Sequence, residues 1–376
     1  MKKCAAALVA AVLLILPAAA VSGGPAVEAG SAILMEKETG TVLYEANAHD
    51  KLEPASVTKV MTLLLVMEAI DDGRLKMEDM VTVSAQAASM GGSQVYLKEG
   101  EQMTVHDMLK AVAVVSGNDA AVALAEHIAG SEEGFVERMN RRAAELGMAD
   151  TTFINCTGLP AAGHLTSAYD IAVMSRALLA HPGIREFTTI WMDSVRDGQF
   201  QLANTNKLIR FYEGATGLKT GFTDSALYCL SATAERDGME LIAVVMKCPT
   251  SEKRFEGAKA LLNFGFANYT LLDVPPDQAL PPVEVALGEC STVQPVLAQS
   301  GRILIDKAEL NNVTTELRLT ERVEAPVEAG QKLGEMVVSV SGVEQQTIPI
   351  VADQAVERLT MPGIFKRFLD ILFMAG

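Results

Sequence analysis

The sequence predicts an α+β protein with two domains. Segments typical of strands stand at both ends of residues 30–272, and they bracket a middle region whose apolar residues recur with helical spacing. The proline-rich residues 273–282 follow as a linker, and short segments of alternating polarity over 283–358 predict a small all-β domain. With 376 residues, of which 49% are hydrophobic, the chain can fill two hydrophobic cores.

The elements of the first domain can be placed in chain order. SAILMEK and TVLYEANA flank the turn ETG and predict a β-hairpin. Pro54 opens a buried helix over 55–70, which the turn sequence DDG ends. Three further helices are predicted from residue 104 to residue 148, the first with Thr104 as its N-cap. SALYCLSATAE and MELIAVVMK predict two paired strands, and a last helix covers SEKRFEGAKALLNFGFANY.

Residues 1–29 have the order of a secretory signal peptide. Two lysines precede an apolar run, and small residues follow, with candidate cleavage sites between residues 20 and 29. The alternative is a membrane anchor of about 20 residues. Because Pro17 and the small residues after it favour cleavage, we expect the mature protein to be extracytoplasmic.

Charge and cysteine content exclude several classes of protein. A net charge of −16 leaves no basic face for a nucleic-acid partner. The cysteines of the mature chain have neither CxxC nor zinc spacing, so we expect free buried thiols. Cys229 and Cys248 lie on the two arms of a predicted hairpin and are the one pair for which a disulfide is an alternative. The five histidines do not cluster with carboxylates, so we expect no metal and no cofactor.

A serine and a lysine stand one helical turn apart near the start of the first apolar helix, in EPASVTKVM. Residues i and i+3 share one helix face, so the hydroxyl of Ser56 and the amine of Lys59 can meet. A lysine that burial keeps neutral can remove the serine proton and turn the hydroxyl into a nucleophile. The pattern S-x-x-K is weak by itself, because an N-cap serine and a surface lysine also produce it.

Two later tripeptides strengthen the catalytic interpretation. SGN falls between two predicted helices, where Ser116 offers a second hydroxyl for proton transfer and Asn118 offers an amide to hold a substrate peptide. KTG is predicted to start the strand pair that ends the domain. There Lys219 supplies a second cation, Thr220 a hydroxyl for a carboxylate, and Gly221 lets a substrate backbone lie against the strand edge.

In this order the three motifs resemble those of the low-molecular-mass penicillin-binding proteins that are D-alanyl-D-alanine carboxypeptidases. PASVTKVMTLLLV, SGNDAAVALAEHIAGSEEGFVERMN, ELGMADTTFINCTGL and GLKTGFTDSALYCLSATA carry the resemblance, which runs from about residue 30 to the C-terminal helix. It implies a DD-peptidase/β-lactamase-like domain, an antiparallel sheet flanked by helices with a helical subdomain, followed by the small all-β domain. It also implies removal of the terminal D-alanine from the peptidoglycan stem pentapeptide.

The resemblance assigns roles to individual residues. Ser56 matches the acylated nucleophile, Lys59 its activating base, and Ser116 the serine of the second motif. The backbone N–H groups of Ser56 and Phe222 match the oxyanion hole, although some relatives carry histidine in place of Phe222. Arg254 matches an arginine that helps to bind the terminal carboxylate, and the alternative is an ordinary charge on a helix surface. The remaining matches are substrate-binding residues: Asn118, Lys219, Thr220 and Gly221.

Two other functions are alternatives. A serine β-lactamase would need a carboxylate that positions a deacylating water, usually in an E-x-x-L-N loop, and no such string lies between the second and third motifs. A wall-binding protein with an inactive site would be expected to have lost at least one motif. We therefore favour the carboxypeptidase, with β-lactam antibiotics as covalent inhibitors that acylate the same serine.

Residues 361–376 predict an amphipathic helix. One face carries six large apolar side chains, and the other carries Lys366, Arg367 and Asp370. The segment is too short to span a bilayer, and its pattern is typical of a helix that lies in the membrane interface. Docking on the β domain is the alternative. We expect a peripheral protein on the outer face of the cytoplasmic membrane.

Overall fold

The computed structural model describes residues 24–275, 279–299 and 301–365. The chain divides into two compact units, residues 1–265 and 266–376. Most of the predicted signal peptide and most of the predicted C-terminal amphipathic helix lie outside the described residues, but residues 361–365 are helical. None of the helices in the described part of the chain is both long enough and apolar enough to cross a membrane.

Helices and strands alternate in the first unit. Its strands are β1 (Ser31–Glu36), β2 (Val42–Ala46), β3 (Met80–Thr82), β4 (Gln102–Thr104), β5 (Met192–Val195), β6 (Phe200–Ala203), β7 (Ala215–Thr223), β8 (Leu227–Arg236) and β9 (Met239–Cys248). Its helices are α1 (Lys59–Asp71), α2 (Ala85–Ala88), α3 (Val105–Val115), α4 (Asn118–Ala129), α5 (Glu132–Glu145), α6 (Ala168–Leu179), α7 (Arg185–Thr188), α8 (Leu208–Phe211) and α9 (Ser251–Asn268). Short 3₁₀ turns cover Ala55–Thr58 and Pro182–Ile184.

A five-stranded antiparallel sheet, in the order β2-β1-β9-β8-β7, organises this unit. Its central strands are apolar on both faces, because helices cover both. Ile33 and Met35 belong to the main core cluster with α1 and α6. Leu34, which alternates with them, faces α9, where a Cβ at Gly265 would lie 3.0 Å from its Cδ2. The antiparallel sheet flanked by helices confirms the predicted fold class.

Helix α1 is buried on nearly all sides, as its uninterrupted apolar sequence predicts. It contacts α3, α4, α5 and α6. The 3₁₀ turn Ala55–Thr58 leads directly into it, so the predicted helix over 55–70 begins as a 3₁₀ helix. Its end is also as predicted, because the chain turns at Gly73, whose φ of +71° favours glycine.

The short joint between α3 and α4 holds the second motif. Thr104 caps α3, its side-chain oxygen accepting a hydrogen bond of 3.2 Å from the backbone N–H of Asp107, as predicted. The helix ends at Ser116, which adopts the left-handed conformation with φ +66°, and Asn118 already begins α4. Ser116 and Gly117 therefore lie between two helices, as predicted, whereas Asn118 belongs to the second helix and not to the loop.

The third motif lies elsewhere than predicted. KTG does not start the β8–β9 pair but lies inside β7, an edge strand that pairs with β8. The sequence of β7, ATGLKTGFT, contains two glycines and little apolar alternation, so the strand gives a weak sequence signal. Because β7 is an edge strand, one of its sides faces away from the sheet.

The second unit is built from strands. These are β10 (Tyr269–Asp273), β11 (Val283–Ala286), β12 (Thr292–Val293), β13 (Pro295–Leu297), β14 (Arg302–Asp306), β15 (Val313–Leu319), β16 (Arg322–Glu324), β17 (Lys332–Val340) and β18 (Val343–Ala352), with a 3₁₀ turn over Lys307–Asn312. β10 pairs with β14. The other sheets have the orders β12-β11-β16 and β13-β18-β17-β15. The all-β character was predicted, but β10 begins in the segment that the sequence assigned to the first domain and ends at the first residue of the predicted linker.

The cysteines at positions 156, 229, 248 and 290 are free thiols. The first three are buried, as expected, whereas Cys290 is exposed. Cys229 and Cys248 lie on β8 and β9, as predicted, but form no disulfide. Burial raises the pKa of Cys229 to about 11 and that of Cys248 to about 12, so both thiols stay protonated.

Candidate active site

The amine of Lys59 is the centre of the site. Its Nζ donates to Ser56 Oγ over 3.0 Å, to Asn118 Oδ1 over 2.6 Å and to the backbone carbonyl of Thr157 over 2.7 Å. Three donors on one ammonium group therefore meet three acceptors from three distant parts of the chain. The structure thus joins the first two motifs through one side chain.

Burial changes the acidity of this amine. Lys59 is completely buried, and desolvation lowers its pKa from 10.5 to about 7, although the charges of Cys156 and Asp119 act in the opposite direction. Near neutral pH a large fraction of Lys59 is therefore neutral and has a lone pair. Ser56, which is half-buried, lies within hydrogen-bonding distance of that lone pair. This is the geometry that a base needs to activate a serine hydroxyl.

The two polar residues of the second motif are both buried. Ser116 is only 4% exposed, and its Oγ has no hydrogen-bond partner among the described residues. A buried hydroxyl without a partner is costly unless a ligand satisfies it. Asn118 is fully engaged inside the protein, since its Oδ1 accepts from Lys59 and its Nδ2 donates to the carbonyl of Gly91 over 2.6 Å. In this state the amide of Asn118 positions Lys59.

The third motif lies directly against the first. A Cβ at Gly221 would come within 2.7 Å of the carbonyl oxygen of Pro54 and within 3.1 Å of the backbone nitrogen of Ser56. Only glycine lets β7 approach the serine this closely. Thr220 makes a hydroxyl–hydroxyl contact of 2.7 Å with Thr205. Lys219 is buried, and desolvation, followed by the charges of Lys59 and Arg254, holds its pKa well below its usual value.

Arg254 reaches the same strand from α9. It is only 7% exposed, so its alternative interpretation as a surface charge is wrong. Its Nη1 donates to the carbonyl of Gly221 over 3.2 Å, and its guanidinium lies 4.6 Å from the ring centroid of Phe255. Phe222 is 48% exposed and stacks on Tyr228 with ring centroids 4.4 Å apart.

Lys59, Lys219 and Arg254 form a cluster of three buried basic side chains. Among the described residues, none of the three makes an ion pair with a carboxylate. Buried cations without a counter-charge favour binding of an anion. The site therefore combines a serine nucleophile and its base with an environment suited to a negatively charged group.

A loop that carries no predicted site residue supports the base. The carbonyl of Thr157 accepts from Lys59, and the next residue, Gly158, packs against Ala55. His164 accepts from the backbone N–H of Ile154 at Nδ1, so its Nε2–H donates to Thr58 Oγ1 over 2.8 Å. Burial lowers the pKa of His164 to about 4 and keeps the ring neutral. Sequence reasoning missed these contacts, and only the adjacent Cys-Thr-Gly stretch within the quoted resemblance gave a signal.

An S-x-x-K pair with a buried lysine, a second serine and a K-T-G edge strand around one nucleophile define the class of serine acyl-transferring enzymes to which penicillin-binding proteins belong. The family profile described as D-alanyl-D-alanine carboxypeptidase matches residues 18–250, and that of the penicillin-binding protein 5 C-terminal domain matches residues 274–358. The chain belongs to the D-alanyl-D-alanine carboxypeptidase family and is a serine-type carboxypeptidase of the penicillin-binding class.

Individual relatives agree along most of the chain. The D-alanyl-D-alanine carboxypeptidase DacF of Bacillus subtilis is 43% identical over 90% of this chain and 89% of its own. DacC of Escherichia coli is 35% identical over 93% of this chain and 89% of its own. The solved structure of penicillin-binding protein 5 from Haemophilus influenzae matches with a TM-score of 0.78 and 30% identity, over 89% of this chain and 99% of that one.

The contact between Gly158 and Ala55 yields a stability prediction. A Cβ at Gly158 would lie 1.8 Å from the carbonyl oxygen of Ala55, and φ is +81°. Gly158→Ala should therefore lower the free energy of unfolding by about 2–4 kcal/mol, because backbone must move. Gly163→Ala is the matched control, since φ is +83° there and nothing lies within 4 Å. Denaturant unfolding of both variants measures the difference, and equal losses would contradict the packing argument.

Proposed function

We propose that Ser56 forms the acyl-enzyme and that Lys59 is its base. The neutral amine of Lys59 takes the proton from Ser56 Oγ while the oxygen attacks the carbonyl carbon between the last two D-alanines of a stem pentapeptide. The C–N bond breaks, and the proton passes to the amine of the departing D-alanine, with the hydroxyl of Ser116 as relay. Water then hydrolyses the ester and frees the serine.

The observation that carries this proposal is the hydrogen bond of 3.0 Å between Lys59 and Ser56 at an amine whose pKa burial lowers to about 7. A lysine with its ordinary pKa would be protonated and could not accept the serine proton. Both groups are held before substrate arrives, which reduces the entropy lost on reaching the transition state.

Substrate binding is assigned to the third motif and its neighbours. Lys219, Thr220 and Arg254 would bind the terminal carboxylate of the substrate, which supplies the negative charge that the buried cations lack. The substrate backbone would lie along β7 at Gly221. The backbone N–H groups of Ser56 and Phe222 would stabilise the oxyanion, a contribution of about 2.7–4 kcal/mol per donor in comparable sites. The side chain of Phe222 is not needed for that role.

β-Lactam antibiotics are proposed to acylate the same serine. Penicillin-binding protein D2 of Listeria monocytogenes, solved in its ampicillin-bound and cefotaxime-bound forms, is 34% identical to this chain. It covers 64% of this chain and 98% of its own length, with a TM-score of 0.59.

The proposed cellular location of the protein rests on its two terminal segments. Residues 1–29 would direct export and be removed, and residues 361–376 would bind the outer face of the cytoplasmic membrane. The described start of this second segment is helical, with Met361 79% and Phe365 65% exposed. Apolar side chains that are exposed on the protein surface agree with a helix whose apolar face is buried in the membrane interface.

The nucleophile can be tested by covalent labelling. Ser56→Ala should abolish labelling by a fluorescent penicillin and conversion of a synthetic stem pentapeptide to tetrapeptide, measured by mass spectrometry. Its thermal midpoint should stay within a few degrees of the wild-type value, because one half-buried hydroxyl contributes little packing energy. Ser89→Ala, at an exposed serine, is the control and should label normally. Persistent labelling of Ser56→Ala would assign the nucleophile to another residue.

If Lys59 is the base, the rate of acylation should depend on pH. Only the neutral amine accepts a proton, so the acylation rate should rise as pH increases through about 7 and level off above it. Lys59→Arg cannot become neutral in this range, so its acylation should fall by orders of magnitude at every pH. Stopped-flow acylation by a chromogenic penicillin measures both effects. A flat wild-type profile, or a folded Lys59→Arg variant with near wild-type rates, would rule out this role.

The C-terminal segment can be removed without touching the proposed catalytic residues. Deletion of residues 361–376 should release the protein from membranes, since burying each large apolar side chain contributes about 1.5–3 kcal/mol. Turnover of a soluble pentapeptide should be nearly unchanged. Sedimentation with vesicles and a D-alanine release assay give the two readouts. Loss of folding or turnover on truncation would instead show that the segment is a docked structural element.

A further inference from the structure

A groove in the first unit contains a concentration of arginines that the proposed chemistry does not use. Its cavity has a volume of about 380 Å³ and is lined by α1, α4, α5 and the turn after α1. The lining residues Leu65 and Glu68 lie toward the end of α1, whereas Lys59 begins that helix. At about 1.5 Å per residue, Glu68 is about 14 Å along the helix from Lys59, so the two sites are separate.

Three of the four arginines share one helix face. Arg138, Arg141 and Arg142 have the i, i+3, i+4 spacing on α5, and Arg74 joins them from the turn after α1. Like charges at this spacing repel one another and destabilise a helix. In a chain with a net charge of −16, such a cluster of positive side chains is a local reversal of the overall charge.

The carboxylates of the groove neutralise only part of this charge. Arg142 donates to Glu68 over 2.8 Å and to Glu145 over 3.1 Å, so both lining carboxylates contact the same guanidinium. In the part of the chain that the structure describes, the side chains of Arg138 and Arg141 make no hydrogen bond or ion pair. Arg74 is itself paired with Asp72 over 2.8 Å, so Arg138 and Arg141 are the two guanidinium groups of the lining that have no carboxylate partner among the described residues.

We propose that this groove binds a phosphate group carried by a larger ligand. A phosphate presents several oxygen atoms to two guanidinium forks at once, whereas a single carboxylate presents one pair. A phosphomonoester also carries a charge of about −1.5 to −2 at pH 7, which the two unpaired guanidinium groups of Arg138 and Arg141 can neutralise. Leu65 and Ile128 supply an apolar surface against which the carbon skeleton of the ligand can pack.

Binding of defined probes tests the proposal on the full chain. Isothermal titration with inorganic phosphate and with glycerol 3-phosphate should show binding to the wild type. The double variant Arg138→Gln/Arg141→Gln should bind both probes at least about tenfold more weakly. Arg138→Lys/Arg141→Lys keeps the charge but loses the forks, so its affinity should be intermediate. Lys98→Gln/Lys259→Gln removes the same charge outside the groove and should bind as the wild type does.

Three results would overturn the proposal: no binding of either probe to the wild type, equal binding to the Arg138→Gln/Arg141→Gln variant, or succinate binding as tightly as phosphate. Penicillin labelling should be unchanged in the groove variants, so this outcome is independent of the proposed catalytic roles. Vesicles of phosphatidylglycerol and of phosphatidylcholine identify the source of the phosphate. Weaker binding of the variant to the anionic vesicles identifies a lipid headgroup, and unchanged vesicle binding with weaker glycerol 3-phosphate binding identifies a soluble ester.

Discussion

The hydrogen bonds of one buried amine hold the catalytic site together. Lys59 donates to Ser56 on the preceding turn, to Asn118 at the start of α4 and to the carbonyl of Thr157 in a loop. Each contact requires a different part of the fold to be in place. Because Lys59 is completely buried, desolvation lowers its pKa into the range where a base can act.

The buried basic side chains of the site lower the stability of the folded protein. Three basic side chains, Lys59, Lys219 and Arg254, are buried close together, so positive charge on Lys59 or Arg254 disfavours protonation of Lys219. The described residues pair none of the three with a carboxylate. The large apolar core of the first unit offsets this cost. A substrate carboxylate would remove part of the repulsion on binding.

Much of this site could be predicted from the sequence, because its motifs are local. Ser56 and Lys59 are one helical turn apart, and SGN and KTG are continuous tripeptides. The support of the base could not be predicted in the same way. Thr157 lies 98 residues from Lys59 and contributes a backbone carbonyl, which any residue possesses. The burial of Arg254 was also left open, since a charged residue on a helix is usually exposed.

The fold shows the same division between local and long-range information. Hairpins, buried helices and the Thr104 cap were predicted from neighbouring residues, whereas β7 was missed because its glycines hide the strand pattern. For Gly221 the assembled site reveals the reason, which is the close approach of β7 to Ser56. Strand propensity fails to predict β7 because a long-range contact, with the turn that carries Ser56, determines part of its sequence.

The ionisation of Lys59 is the most direct measurement of the central claim. Lysine side chains labelled with ¹³C and ¹⁵N can be titrated by NMR, with Lys59→Met used to assign the Lys59 signal. We expect Lys59 to titrate near pH 7, more than three pH units below the ordinary lysine pKa of about 10.4. A Lys59 signal that stays protonated up to pH 10 would contradict the account, because a charged amine could not accept the proton of Ser56.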